Sequence, residues 1–198
     1  AGDRDGALSS LPDTDALISA AGANDAAGVR ALIAAGADTE ARAALSGNTA
    51  LGLACEADAV DAVRELLAAG ADPNARYTWR SRMSPARCVD RVALHVTGRV
   101  DVIHMLHAAG AELDAAGATG WTALAHAVSH GDLALVDCLL ALGASRALAG
   151  PLAKTHQTLE ALCASELAFW RGLEAVPNPK LADRIAAQER VQARLQQS

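Results

Sequence analysis

Apolar residues recur through the middle of the chain at helical spacing, in runs that stop on glycine. The runs read LIAAGAD at 32–38, LLAAGAD at 66–72, LHAAGAE at 106–112 and LLALGAS at 139–145. Their starts lie 34, 40 and 33 residues apart. Upstream of each is a second run: DALISAA at 15–21, TALGLAC at 49–55, SPARCVD at 84–90 and TALAHAV at 122–128. Each period predicts helix, turn, helix, glycine stop and extended connector. One such pair hides its apolar side only by stacking on a neighbour. Thr49, Ser84 and Thr122 stand where a side-chain oxygen caps the first helix. Pro85 follows Ser84, where its missing N–H costs nothing. Gly36, Gly70, Gly110 and Gly143 stand where the second helix turns left-handed.

Beyond residue 150 the glycine-stop phrase ends. Residues 155–174 predict a helix with Leu159, Leu162, Leu167, Trp170 and Leu173 as its apolar set. Asn178 and Pro179 then open a last helix carrying Leu181, Ile185, Val191 and Leu195 on one side. These two helices are expected to cover the end of the stack, with Phe169 and Trp170 as core anchors. A separate docking or dimerising helix is the alternative.

The period and its phrases resemble the ankyrin repeat, whose pattern runs G-x-T-P-L-H-x-A-A-x-x-G-H, a second helix, then L-L-x-x-G-A-D. Gly47-Asn48-Thr49-Ala50-Leu51 with LLAAGAD, and Gly120-Trp121-Thr122-Ala123-Leu124 with LLALGA, match it best. The resemblance implies an all-α solenoid of helix-turn-helix units with β-hairpin-like fingers. Four repeats are expected over 14–150, at about 14–43, 44–75, 76–115 and 116–150. Residues 1–13 are a lead-in and 151–198 a helical C-terminal cap.

The departures from the pattern carry expectations too. Ile18, Gly52, Arg87 and Ala125 stand where the histidine of T-P-L-H belongs. The first repeat lacks the threonine. His107 replaces the second leucine of the LL pair. In the third repeat, Ser84 to Gly98 is 14 residues where Thr122 to Gly131 is 9, which places five extra residues inside its first helix or the turn after it.

Alanine dominates the 52% hydrophobic fraction and aromatics are 3%, so closely packed helices are expected rather than a core of large rings. Cys55, Cys88, Cys138 and Cys163 are far apart, form no CxxC pair and read as buried free thiols. That favours a cytoplasmic location. The chain starts at Ala1 and not Met, which keeps a periplasmic or secreted location as the alternative. No apolar run is long enough to cross a membrane.

Charge is uneven. Residues 1–75 carry net -8, 76–104 net +4, 105–150 net -3 and 151–198 net +1. The basic island contains RYTWRSRMSPARC at 76–88, with four arginines, the only tyrosine and one of the three tryptophans. In the ankyrin arrangement Arg76 to Met83 lie on the finger between repeats two and three. Fingers and first helices of the family line a concave face that binds other proteins. Arginine and large aromatics dominate interface energies. The expected partner-binding set is Arg76, Tyr77, Trp79, Arg80, Arg82 and Met83 on this finger. Asn48 and Trp121 hold matching finger positions, and Glu56, Ser129 and His130 complete the floor. The competing reading has these aromatics packing on the next finger and the arginines pairing with local acids, each pair worth roughly 0–1 kcal/mol.

Catalytic chemistry finds little purchase. His126-x-x-x-His130 and His104-x-x-His107 have the spacing of zinc ligands on one helical face, without a flanking glutamate or cysteine. Cys88 and His95 are near in sequence, with nothing to stabilise an oxyanion. No phosphate-binding glycine loop is present. Bases could stack on Tyr77 and Trp79, yet the acidic flank repels a phosphate backbone. The sequence therefore points to a non-enzymatic module with no cofactor, no metal, no membrane and no nucleic acid. It binds one protein partner and is expected as a monomer ahead of a dimer. The alanine- and arginine-rich, lysine-poor composition points to a bacterial source. Inhibition or regulation of the partner, antitoxin- or immunity-like, is the expected role. A secreted effector or scaffold acting on a host protein is the alternative.

Overall fold

Threonine opens the first helix of two repeats. Thr49 Oγ1 accepts from the Gly52 N–H at 3.1 Å, and Thr122 Oγ1 from the Ala125 N–H at 3.2 Å. Each satisfies a donor that the first helical turn leaves without a partner, worth about 1 kcal/mol. The second helices end as the glycines dictate: Gly36, Gly70, Gly110 and Gly143 have φ of 94°, 86°, 91° and 94°. The computed structural model describes residues 14–43, 47–80, 88–117, 119–148, 150–173 and 180–197. On both strands and at Pro151 it describes the backbone alone.

The chain divides into two compact units after Ala111. The first holds α1 (Thr14–Gly22), α2 (Ala26–Ala34), α3 (Ala50–Glu56), α4 (Val60–Ala68), β1 (Tyr77–Arg80), β2 (Cys88–Arg91), a 3-10 turn at Ala93–His95 and α5 (Val100–Ala108). First helices stack on first helices, α1 on α3 and α3 on the 3-10 turn. Second helices stack likewise, α2 on α4 and α4 on α5. Leu17, Leu51, Leu66, Ile103 and Leu106 are fully buried between them, with Ala21, Ala50, Ala54 and Ala62. Alanine at these positions lets the backbones approach and leaves the leucines to fill the remaining space.

Directional bonds add register to this stacking. Asn24 and Asp58 adopt left-handed backbone, φ 55° and 52°, at the turn inside each helix pair. Asn24 Oδ1 accepts from the Asp61 and Ala62 N–H groups at 3.1 Å. Asp58 Oδ1 accepts from the Thr97 hydroxyl at 3.2 Å and the Gly98 N–H at 3.1 Å. Asn24 thus caps the start of α4, and Asp58 holds the turn that leads into α5.

The third repeat departs from expectation. A first helix opening at Ser84 is not formed: Cys88–Arg91 is a strand. It pairs antiparallel with β1, Tyr77 opposite Arg91 and Arg80 opposite Cys88. Tyr77, Thr78 and Trp79 on β1 and Val89 on β2 favour extended backbone. Ser84, Pro85 and Arg87 lie outside the described residues. The repeat restarts at Val92, so Val92-Ala93-Leu94-His95 runs in phase with Thr49-Ala50-Leu51-Gly52 and Thr122-Ala123-Leu124-Ala125. The added length therefore lies in the connector and not in the helix. Gly70 to Val92 spans 22 residues, against 13 from Gly36 to Thr49 and 12 from Gly110 to Thr122. Val92 offers no capping oxygen, and the first helix is cut to one 3-10 turn. The histidine expected to be missing from every repeat is present here as His95, which is buried.

The second unit holds α6 (Ala123–His130), α7 (Leu133–Ala141), α8 (Gly150–Thr155), α9 (Leu159–Gly172) and α10 (Leu181–Gln196). The single helix expected over 155–174 is shorter, and α8 precedes it. Thr158 caps α9 by accepting from the Ala161 N–H at 3.1 Å. α9 packs on α6, and α10 on α9, α7 and α6. Gln188 of α10 is 1% exposed. Its Nε2 donates to the Val128 carbonyl at 2.9 Å and contacts Cys163 Sγ at 3.3 Å. Arg194 pairs with Asp137 of α7. Phe169 is not a core anchor. It is 58% exposed, because Leu159, Leu162, Cys163 and Leu167 take the inward side of α9. Trp170 is half-buried, its ring edge-on to Phe169 with centroids 5.1 Å apart. The Arg184 guanidinium lies 4.5 Å from the Trp170 ring centroid.

Candidate functional site

The finger between repeats two and three is built on α4. That helix ends at Ala68, the chain turns left-handed at Gly70, and Ala71 is buried. Asp72 and Asn74 then brace the base of the finger. Asp72 N–H donates to Glu40 Oε1 at 2.9 Å, and Asn74 Nδ2 donates to the Gly110 carbonyl at 3.0 Å. From this base rises the β1–β2 hairpin, four residues on each strand. Its far end returns through Val92, Ala93 and Leu94, all buried. The hairpin is thus anchored to packed helices at both ends.

The expected contact residues divide into several groups. Arg76 is exposed immediately before β1. Tyr77, Trp79 and Arg80 are on β1, in register with Arg91, Val89 and Cys88. Arg82 and Met83 lie outside the described residues. Glu56, at the end of α3, is exposed.

Asn48 is a correction, since an outward-facing contact residue was expected and its exposure is 5%. The reason is local. Ala43 N–H donates to the Asn48 carbonyl at 3.0 Å, and Gly47 N–H to the Ala43 carbonyl at 2.8 Å. This tight closure draws the small amide side chain inward.

Trp121 occupies the matching place in the second unit, where Gly117 N–H donates to its carbonyl at 3.1 Å. Its larger ring stays half-buried and stacks on His126, centroids 4.9 Å apart. Ser129 is half-buried, its hydroxyl donating to Glu166 Oε1 of α9 at 3.1 Å. That bond ties it to the C-terminal helices. His130 is exposed and its Nδ1 donates to the His126 carbonyl at 2.8 Å, a helix-terminal role.

Sequence reasoning missed His95 as a repeat residue. The signal was present: the Ala-Leu dipeptide at 93–94 keeps the phase of those at 50–51 and 123–124.

Burial disfavours the thiolate at Cys55, Cys138 and Cys163. Burial, and then the Asp58 charge, push the Cys55 thiol up to about 12. Burial also raises Cys163 and Cys138. Among the described residues no group of three His, Cys, Asp or Glu side chains is placed to hold a metal ion. Among them too, no helix is long and apolar enough to cross a membrane.

Two family models match the chain. One, for ankyrin repeats in three copies, covers residues 5–77, and one for ankyrin repeats in many copies covers 91–140. The stretch between the two matches is 78–90, nearly the whole of the hairpin. No curated protein matches the chain.

Proposed function

This chain belongs to the ankyrin repeat family, and we propose that it docks one protein partner through the β1–β2 hairpin. Ankyrin repeats are general protein–protein interaction modules, and the proposal names the part of this one that makes contact. One observation carries it: the segment that departs from the family pattern is also the segment where arginine and aromatic residues concentrate. Residues 76–91 hold five arginines, Tyr77 and Trp79 against one acid, Asp90, in a chain of net charge -6. A structural insertion would need no such composition. An interface would, because aromatic rings bury large area with few rotors and guanidinium groups bind carboxylates bidentately. The proposed contact set is Arg76, Tyr77, Trp79 and Arg80, together with Glu56, an exposed carboxylate at the end of α3. Holding the partner inactive, antitoxin- or immunity-like, is the proposed consequence.

The four repeats over 14–150 form the binding module, and α9 and α10 serve as its C-terminal cap. The packing of Leu181, Val191 and Leu195 supports capping over dimerisation. These residues are already buried and Ile185 of the same side is half-buried, so most of the apolar side of α10 is used within the fold.

The test is capture of a partner from the native organism's lysate, with three forms of the protein side by side. The intact chain is expected to retain the partner and Trp79→Ala/Arg80→Ala to lose it while remaining folded. Trp121→Ala/His130→Ala, in the second unit, reports on the remaining expected residues. Equal capture by the intact chain and the hairpin variant would move docking away from the hairpin.

A further inference from the structure

A two-stranded sheet has two outer edges. β1 and β2 pair with each other, and among the described residues no third strand joins them. An outer edge presents backbone donors and acceptors at the spacing an extended chain needs, so it can take up another strand. We infer that an extended acidic segment of the partner adds to this hairpin as a third strand. The inference rests on the hairpin being the docking surface, and it names how the partner is read.

Charge selects the occupant. Residues 76–91 carry net +4. A second copy of the same hairpin would bring net +4 against net +4, and like charges across paired strands are destabilising. The basic charge that keeps two copies of this edge apart attracts an acidic strand. The acidic remainder of the first unit, net -8 over residues 1–75, confines that attraction to the hairpin.

Register supplies a second argument. Tyr77 and Trp79 alternate with Thr78 and Arg80 along β1, and they lie opposite Arg91 and Val89 on β2. Side-chain positions alternate between the two faces of a strand. The positions of Tyr77, Trp79, Val89 and Arg91 therefore share one face of the ribbon, and those of Thr78, Arg80, Cys88 and Asp90 the other. The acids of an alternating strand are best matched on the face of Tyr77, Trp79, Val89 and Arg91, which holds an arginine and no acid, whereas Arg80 shares its face with Asp90.

The test uses a defined probe, the fluorescently labelled peptide Glu-Val-Glu-Val-Glu-Val, and the same peptide N-methylated at all six residues, because the N–H groups of alternate residues serve opposite edges of a strand. N-methylation removes strand donors and keeps every charge. Fluorescence anisotropy with the full chain should show binding of the plain peptide that weakens between 50 and 500 mM salt. The methylated peptide should bind at least tenfold more weakly. Equal binding of the two peptides, lost in Trp79→Ala/Arg80→Ala, would overturn strand addition and leave the hairpin as the docking surface through its side chains. Equal binding unaffected by that variant would overturn strand addition and count against the hairpin as well. No binding of the plain peptide would overturn the acidic-strand inference, leaving the partner-capture experiment to judge the hairpin.

Discussion

Gly70 and Gly131 share a left-handed backbone, φ 86° and 71°, and differ in what surrounds them. A Cβ at Gly70 meets nothing within 4 Å. A Cβ at Gly131 would come within 2.9 Å of Gln188 Oε1, the buried amide that ties α10 to α6. Gly70→Ala is therefore expected to cost about 1 kcal/mol, the left-handed penalty alone. Gly131→Ala is expected to cost roughly 2–3 kcal/mol, because displacement of Gln188 adds to it. Urea unfolding of both variants checks the order.

Asp101 offers a second residue-level prediction. Two bonds from the Arg99 guanidinium, at 2.9 and 2.8 Å, hold its carboxylate down at about 2, against an ordinary 3.8. A depressed folded value means that the ionised form stabilises the fold. The contribution is whole above pH 4 and is lost as pH falls toward 2. Melting curves between pH 5 and 2 should fall less steeply for Asp101→Asn than for the intact chain.

At the scale of elements, the hairpin and the helices it springs from answer to different forces. α4 is held by Ala62, Val63 and Leu66, all fully buried. β1 and β2 pair with each other along the whole of their four-residue length. Leu66→Ala should cost roughly 2–5 kcal/mol through the cavity it leaves. Trp79→Ala should stay within roughly 1 kcal/mol, as expected for a side chain presented to a partner. Thermal unfolding of the pair discriminates: a Trp79 variant as unstable as the Leu66 variant would make the hairpin a structural element. The same contrast explains what was legible. Thr49, Thr122 and the four glycine stops announce their roles because caps and left-handed turns are decided within a few residues. The start of the third repeat was misplaced because Ser84-Pro85 has the local chemistry of a helix opening. Strand pairing across Tyr77–Arg80 and Cys88–Arg91 overrides it.

At the scale of the whole molecule, the chain is acidic with one basic insertion, carried in the first of two compact units. The second unit closes on itself through a longer helix pair that lacks the glycine-stop phrase. α9 and α10 take the places that first and second helices take elsewhere, α9 on α6 and α10 on α7. They do so with Gln188, Cys163 and the Arg194–Asp137 pair in place of the repeat motif.

Period, the helix starts at Thr49 and Thr122, the glycine stops and the charge island were readable from residue order, because each depends on neighbours close in the chain. Three features were not. The strand at Cys88–Arg91, the burial of Asn48 and the exposure of Phe169 each depend on how the chain closes around the residue. Burial and strand pairing are properties of an environment, and an environment exists only once the chain has folded around it.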